Sequence, residues 1–254
     1  MDRESLAADT AKTAAALRSQ LHQMAAASQV LEHSTTSEKD RTYLAVINQS
    51  ICRMLRIVGR MELGHRLTDE EAQLSLRYID LTRQLEDLGT RLQGVLADIG
   101  VTFTLRCPDH LYAVADGDLL RQMLLELISN LALVSTKIML SVAVKDDRIC
   151  FTFSDNGPGQ ADGRPALPAQ LEEQEERSSI DLARRIAELH GGTLMISANE
   201  DSSLSIMVSI PHRKDPGLRL ESSAASWQTG GFDSVLVAMS QLLPSRSFLP
   251  ENLG

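Results

Sequence analysis

The stretch Asp155-Asn156-Gly157-Pro158-Gly159 decides the fold of this chain. It follows residues 149–154, an alternating apolar run that predicts a β-strand. An acidic side chain therefore stands at a strand end, with glycines two and four residues later. Because glycine lacks a Cβ and tolerates positive φ, such a turn lets the backbone approach a flat ligand closely, and the carboxylate of Asp155 can accept a hydrogen bond from an exocyclic amine. An ordinary strand-end turn is the alternative interpretation.

Helical patterns lie on both sides of this turn. Upstream, residues 119–130 carry apolar side chains at helical spacing, and Glu126 and Asn130 share one face of that predicted helix. Downstream, residues 181–190 form a second helical pattern, which ends at Gly191-Gly192 in a predicted glycine C-cap.

Two further alternating runs, Thr193–Ala198 and Ser203–Ile210, predict a pair of strands. The order of helix, strand pair, D-x-G-x-G turn, loop, helix, Gly-Gly and strand pair resembles the ATP-binding domain of sensor histidine kinases, within the GHKL ATPase superfamily. The resemblance covers about residues 100–213. It implies an α/β sandwich that binds ATP and Mg²⁺, with Asp155, Gly157 and Gly159 on the adenine side.

Composition excludes several other classes of protein. The chain has 254 residues, 43% hydrophobic content and a formal net charge of -9, which argues against nucleic-acid binding because phosphate contacts need a basic surface. No apolar run is long enough to span a membrane, and no signal-peptide pattern is visible. The scattered cysteines, Cys52, Cys107 and Cys150, fit neither a disulfide framework nor a zinc site. These features predict a cytoplasmic protein.

The N-terminal third predicts two long helices. Residues 4–33 contain no Gly or Pro, and a second helical pattern runs to about Leu63. Both have narrow apolar seams, made by Ala14, Leu17, Leu21, Met24, Ser28 and Leu31 in the first and by Leu44, Ile47, Ile51, Met54, Leu55 and Val58 in the second. A short connection predicts an antiparallel hairpin. Because two helices alone bury little surface, we expect a homodimer through residues 4–63, in a four-helix bundle.

This order resembles the dimerisation region of a histidine kinase, which precedes the ATP-binding domain. The predicted fold class is therefore α+β. Residues 1–66 form the helical hairpin, residues 67–213 the GHKL-type ATP-binding domain, and residues 214–254 a tail that is largely linker, with a short apolar helix at Ser234–Leu243.

The phosphoacceptor of the family is missing from the hairpin. The stretch Leu17-Arg18-Ser19-Gln20-Leu21 resembles the family's L-R-T-P-L, and the acceptor His should stand two residues earlier, where this chain has Ala15. Alanine has no nucleophile. His22, seven residues after Ala15, is a substitute acceptor on the same face, although a solvated polar side chain is the alternative interpretation.

The nucleotide site resembles the family only in part. Asn130 matches the asparagine that holds Mg²⁺ in the family, and Glu126 matches the acidic position that orients water or a hydroxyl; a helix face with two polar residues is the alternative. The family's second glycine motif, G-x-G-L, should stand at residues 177–180, where this chain has Arg177-Ser178-Ser179-Ile180. Ser178 and Ser179 instead indicate a helix N-cap, with Asp181 completing a capping box. Because Ser179 stands within the family's phosphate motif, the resemblance also makes it a candidate nucleotide-binding residue. Glutamates crowd the preceding lid, at Glu172, Glu173, Glu175 and Glu176.

Three hypotheses for the function remain open. The first is a degenerate histidine kinase core that acts as a dimeric regulatory partner, with weak or no ATP binding. The second is an active kinase that phosphorylates His22 or a histidine on another protein. The third is phosphotransfer without ATP, with His22 accepting phosphate from a response regulator. The partner is then a response regulator or another kinase, and the input signal cannot be inferred from the sequence.

Overall fold

A computed structural model describes residues 3–34, 37–68, 73–157, 169–198, 203–213, 220–221, 228–229, 231–249 and 252–253 of the chain. The chain divides into two compact units, Met1–Ala72 with Ser226–Gly254, and Gln73–Ala225. The predicted fold class, N-terminal helices followed by a sheet covered by helices, is confirmed. Within the described ranges no helix is both long and apolar enough to cross a bilayer.

The first unit is built on an antiparallel pair of long helices, α1 (Arg3–Ser34) and α2 (Glu38–Thr68). Two polar contacts fix their register: Ser28 donates to Asn48 Oδ1 at 2.6 Å, and Arg18 pairs with Glu62 at the other end. Alternate members of the predicted seams turn inward and are buried, namely Ala14, Leu21, Leu44, Ile51, Leu55 and Val58. The hairpin therefore buries half of the first seam and four of the six residues of the second, and leaves the rest exposed.

The C-terminal segment, residues 231–249, belongs to this first unit. Strand β10 (Phe232–Asp233) pairs with β9 (Gln228–Thr229), and helix α6 (Ser234–Met239) and a 3-10 turn (Ser245–Phe248) pack against α2. Phe232 and Phe248 are fully buried. Where the sequence predicts a linker with a helix to Leu243, the structure has a helix that ends at Met239, in a packed segment.

The second unit has a five-stranded and a three-stranded sheet. Its elements are β1 (Arg77–Asp80), α3 (Leu81–Ala97), β2 (Thr102–Arg106), β3 (Tyr112–Ala115), α4 (Gly117–Val134), β4 (Lys137–Lys145), β5 (Arg148–Asp155), α5 (Ala169–Leu189), β6 (Thr193–Ala198), β7 (Leu204–Pro211) and β8 (Leu220–Glu221). The larger sheet has the order β2-β4-β5-β7-β6, with β2 and β4 parallel and the other pairs antiparallel. The smaller sheet has the order β3-β1-β8. Helices α3, α4 and α5 pack against the strands of this unit.

Local sequence explains the elements that hold the site. In β5, Ile149, Phe151 and Phe153 are fully buried and alternate with half-exposed residues, as expected for a strand with one face in the core. Helix α4 begins where the carboxylate of Asp116 accepts a hydrogen bond from the N–H of Leu119 at 3.0 Å. The strand end at Asp155 and the face of α4 thus follow from the pattern of the chain.

The predicted glycine C-cap of α5 is confirmed. Gly191 has a φ of +75°, and the N–H groups of Gly191 and Gly192 donate to the carbonyls of Glu188 and Ala187. Gly192 also lies against β7, so that an added Cβ would stand 2.1 Å from the carbonyl oxygen of Ser209. Only a residue without a side chain fits at this position.

Gly192→Ala should therefore lower the free energy of unfolding by about 1–3 kcal/mol or more, because backbone atoms of β7 must move. Gly94→Ala is the matched control, since its Cβ would meet nothing within 4 Å on an exposed turn of α3. That change should be neutral or should stabilise by up to about 1 kcal/mol. Urea unfolding of the two variants measures both effects, and equal stabilities would contradict the close approach at Gly192.

A buried histidine joins the end of α5 to the start of α4. His190 Nδ1–H donates to the carbonyl of Ile186 at 2.8 Å, and Nε2 accepts from the backbone N–H of Asp116 at 3.2 Å. Burial lowers the pKa of His190, and so does the charge of Arg213; the carbonyl of Ile186 and the carboxylate of Asp116 act in the opposite direction. The neutral imidazole is therefore the form that fits the folded protein.

Because the folded state lowers this pKa, the unfolded chain binds the proton more readily than the native one. The contribution of His190 to stability is fully present above its ordinary value of 6.5 and is lost progressively as the pH falls below that value. Comparing urea unfolding at pH 7.5 and 5.5 should show a larger loss in the parent protein than in His190→Gln. An identical pH dependence in both proteins would refute the assignment.

Candidate functional site

The carboxylate of Asp155 organises the turn after β5. Its Oδ1 accepts the backbone N–H groups of Gly157 at 3.0 Å and Leu204 at 2.7 Å, and its Oδ2 accepts the hydroxyl of Ser135 at 2.6 Å. A carboxylate offers about four acceptor positions, so one further donor can be accommodated on Oδ2. Gly157 has a φ of +72°, which keeps the turn close to the strand end. This arrangement can bind one exocyclic amine, as the sequence predicts.

The neighbouring Asn156 fixes the same turn to the start of β4, a role that the sequence analysis missed. Its Oδ1 accepts the N–H groups of Thr136 at 3.2 Å and Lys137 at 2.8 Å, and its Nδ2 donates to Thr136 Oγ1 at 3.0 Å. An Asn between Asp and Gly is a common turn residue, and that was the available signal. Pro158 and Gly159 lie outside the described residues.

Glu126 and Asn130 lie on α4, and their surroundings differ. Glu126 is buried, whereas Asn130 is half-exposed and makes no hydrogen bond within the part of the chain that the structure describes. Its amide oxygen is thus available as a hard ligand. Mg²⁺ is usually held by few protein oxygens together with phosphates and water. Asn130 fits that mode, and the described residues hold no cluster of three metal-binding side chains.

Ser179 closes the site opposite α4. Its hydroxyl donates to Glu126 Oε2 at 3.0 Å, and both side chains are buried, with Ser179 only 1% exposed. The pairing spans 53 residues of sequence and brings together two predicted site residues from separate motifs. The Ser179 hydroxyl is therefore hydrogen-bonded to the carboxylate that, by resemblance, would orient a water or a hydroxyl.

The predicted helix start at Ser178 and Ser179 is wrong. Helix α5 begins at Ala169 and runs unbroken to Leu189, so the predicted capping box lies inside it, and Asp181 instead pairs with Arg184 at 2.8 Å on the exposed face. Residues 169–177 are rich in Ala, Gln, Glu and Leu, which favour helix. The glutamates of the predicted lid at positions 172–176 thus belong to the first turns of α5.

The early start of α5 determines which backbone N–H groups are free to bind a phosphate near residues 177–180. Inside an α-helix each backbone N–H donates to the carbonyl four residues earlier, and only the first turn has free N–H groups. Residues 177–180 begin two turns after Ala169, and their N–H groups are already engaged in the helix. The turn at Asp155 therefore retains an acceptor for an amine, whereas residues 177–180 supply no free backbone N–H donors to a phosphate within the part of the chain that the structure describes.

The acceptor position lies on the exposed side of α1. Ala15 and His22 are both exposed, whereas their neighbours Ala14 and Leu21 are buried against α2. A side chain at position 15 would thus reach solvent, but the alanine there offers only a methyl group. His22 is the exposed imidazole nearest to it along the helix.

Comparison with known proteins agrees with the fold. Residues 115–214 match the family of histidine kinase-, DNA gyrase B-, and HSP90-like ATPases. The chain is 25% identical over 189 residues to an uncharacterized sensor-like histidine kinase of Rhizobium meliloti, covering 69% of this chain and 36% of that protein. It is also 25% identical to the circadian input-output histidine kinase CikA of Synechococcus elongatus, over 70% of this chain and 26% of CikA. The chain thus spans about a third or less of these curated relatives.

Two solved structures have a similar fold. Full-length ShkA in complex with AMPPNP superposes with a TM-score of 0.65 at 20% identity, over 82% of this chain and 46% of ShkA. The histidine kinase AdeS of Acinetobacter baumannii gives a TM-score of 0.52 at 16% identity, over 80% of this chain and 97% of AdeS.

Proposed function

We propose that this chain, which has the catalytic core of a sensor histidine kinase with its GHKL ATPase domain, is a degenerate kinase that acts in signal transduction as a dimeric regulatory partner. The observation that carries the proposal is the unbroken course of α5 through residues 177–180. In a kinase this region must leave the transferring phosphate room and donors, since phosphoryl transfer depends on positioning and charge stabilisation.

A second observation supports the loss of transfer. The family's acceptor position is Ala15, which is exposed and carries no nucleophile. The candidate base, Glu126, accepts a hydrogen bond from the buried Ser179 hydroxyl, so orienting a water or hydroxyl would first require that contact to break. The chain thus has no nucleophile at position 15, no free base at Glu126 and no free backbone donors at residues 177–180, and phosphoryl transfer requires all three.

Nucleotide binding follows from the family and from the turn at Asp155. The matched family comprises ATPases, and the similarly folded ShkA is in complex with AMPPNP. Asp155 retains one acceptor position for the adenine amine, and Asn130 is the residue that would hold Mg²⁺ beside the phosphates. Without backbone donors at residues 177–180, most of the affinity should come from the adenosine part.

We therefore expect that adenosine, ADP and ATP bind with affinities within about tenfold of one another, and that Mg²⁺ changes the ATP affinity little. Titration calorimetry of the whole chain with each compound measures this. Asp155→Asn keeps the shape but turns Oδ2 into a donor, and should weaken all three by tenfold or more, about 1.4 kcal/mol. Mg²⁺-ATP binding a hundredfold tighter than adenosine would contradict the closed phosphate side, and no binding at millimolar concentration would make the pocket vestigial.

Phosphorylation of His22 is the second candidate function, because this histidine is exposed on the helix that carries the acceptor in kinases. Incubation with labelled ATP and Mg²⁺, or with a phosphorylated response regulator, distinguishes the two routes. Acid-labile label that disappears in His22→Gln would replace the degenerate-kinase proposal with this one. Absence of label under both conditions favours the regulatory role.

The dimer part of the proposal is supported by an uncovered apolar stripe on the hairpin. Part of each predicted seam stays exposed, namely Leu17, Met24 and Leu31 on α1 and Ile47 and Met54 on α2, and the exposed Tyr43, Ile57 and Met61 lie beside them on α2. At 100° per residue each set falls within about 80° of one helix face. A second copy of the hairpin fits this stripe, because two hairpins packed through it form a four-helix bundle, as in the dimerisation region that residues 1–66 resemble.

Ile47→Asp and Met54→Asp should each shift the protein from dimer to monomer. Each subunit of the dimer buries one such carboxylate, so a cost of about 1–3 kcal/mol for each predicts a dissociation constant at least about 30-fold weaker. Light scattering at micromolar concentration measures the change. Val30→Asp is the control, since Val30 is 72% exposed and lies on another face of α1. A monomeric parent protein would refute this part of the proposal.

The same substitution at Leu21 or Ile51 is a poor test of dimerisation. Both residues are buried inside the hairpin, at 4% and 0% exposure. Asp at either position would destabilise the subunit itself, because a buried carboxylate without a partner is unfavourable.

A further inference from the structure

One face of α2 holds the C-terminal segment by donating hydrogen bonds to main-chain carbonyls. Gln49 Nε2 donates to the carbonyl of Leu243 at 2.7 Å, and Arg53 Nε donates to that of Ser240 at 3.2 Å. Both carbonyls lie just after the end of α6, where a helix leaves its last carbonyls without helical partners. Because every residue has a carbonyl, these two bonds do not depend on the side chains of the segment.

The face of α2 that lies beneath the segment is polar. Gln49, Arg53 and Arg56 recur four and three residues apart on it, and all three donate to the segment. Ile51 and Val58, which are buried in the hairpin, lie about 160–180° around the helix from Gln49. The hairpin therefore keeps its own core, and a polar surface, when the segment is away.

The docked segment contains buried polar atoms that lack partners. The hydroxyls of Ser234 and Ser240 and Nε2 of Gln241 are buried and make no hydrogen bond with any described residue. Buried polar groups in native proteins are nearly always hydrogen-bonded, and water would satisfy all three atoms once the segment is released. Desolvation of these groups thus opposes docking, whereas the burial of Phe232 and Phe248 favours it.

From these contacts we propose that the C-terminal segment is a displaceable cover, and that the face of α2 beneath it is a docking surface for a similar segment of a partner protein. The partner segment is a short apolar helix followed by a turn, because this face donates to carbonyls left free at a helix end. While docked, the cover excludes that partner. The surface belongs to the helical unit alone and does not rest on the proposed function.

Cys52 is a natural reporter of the uncovered state. It lies one turn from Asn48 and one turn from Arg56, which donate to the carbonyl of Phe248 at 3.3 Å and to Oε1 of Gln241. Cys52 is 0% exposed, and burial raises its pKa to about 12. A thiol reagent therefore reaches it only when the segment is released or when the hairpin unfolds.

The rate of Cys52 labelling by a maleimide, measured on the full chain with serine at the other two cysteines, tests the cover. Gln49→Ala should raise this rate by about tenfold or more, because one bond that holds the segment is lost. Ser50→Ala is the matched control, since Ser50 is exposed and its hydroxyl donates to the carbonyl of Val46 in the same helix. That change should alter the rate by less than about threefold.

Urea separates release of the segment from unfolding of the whole protein. Release exposes much less surface, so labelling of Cys52 in the parent protein should depend on urea far less steeply than global unfolding does. Equal dependence on urea would overturn the proposal, because the segment then leaves only when the protein unfolds. Equal labelling rates in Gln49→Ala and Ser50→Ala would overturn it as well.

A fluorescent synthetic peptide of residues 231–249 supplies the proposed kind of partner. Phe248→Ala weakens the attached cover, so the full chain with this change should bind the peptide about tenfold more tightly than the parent protein, whose own segment competes at an effective concentration in the millimolar range. Adding Gln49→Ala should weaken binding about tenfold, or about 1.4 kcal/mol. Fluorescence anisotropy measures each affinity, and circular dichroism confirms that the variants retain their helices.

A peptide with the same residues in scrambled order is the control for the docking surface. It should bind Phe248→Ala at least about tenfold more weakly than the peptide in native order. Equal binding of the two peptides, or no binding of the native peptide to Phe248→Ala at millimolar concentration, would overturn the docking surface. The labelling of Cys52 in the parent protein tests the cover independently of this variant.

Discussion

The backbone hydrogen bonds of α5 are the constraint on which the chemistry of this protein depends. A glycine motif binds phosphate through free backbone N–H donors, and a helix leaves such donors only in its first turn. Because α5 begins at Ala169, the residues of the second glycine motif are committed to the helix ladder. The buried contact from Ser179 to Glu126 then ties the helix to α4. The turn at Asp155 therefore keeps its geometry, while the early start of α5 removes the backbone donors at residues 177–180.

The elements predicted from sequence are those fixed by local patterns. The strand that ends at Asp155 and the glycine C-cap at Gly191 follow from alternation and from backbone geometry, and the structure has both. The start of α5 was mispredicted because Ser178 and Asp181 match a capping box, although the residues before them favour helix as well. A local motif that fits is weaker evidence than the propensity of the whole segment.

Contacts between distant parts of the chain were beyond the reach of such patterns. Ser179 and Glu126 are 53 residues apart, and Asn48 meets the carbonyl of Phe248 across 200 residues. The tail from Asp215 begins with the Pro, Gly and Ser residues of a linker, and only the burial of Phe232 and Phe248 in the helical unit shows that residues 231–249 are packed. Helix α2 consequently packs against α1 with one face and against the C-terminal segment with a second, and its third face carries the exposed apolar stripe.

The two parts of the helical unit are synthesised at different times. Its hairpin is complete at about residue 68, but its last component begins at residue 231, after the entire second unit. At about 5–20 residues per second, the ribosome needs roughly 8 to 33 seconds to synthesise the residues between them. During this time the surface of α2 around Gln49 and Arg53 lacks its carbonyl acceptors. The helical unit therefore starts to form before the second unit but is completed only after it, and a nascent chain exposes this surface of α2 to chaperones until residues 231–249 have emerged.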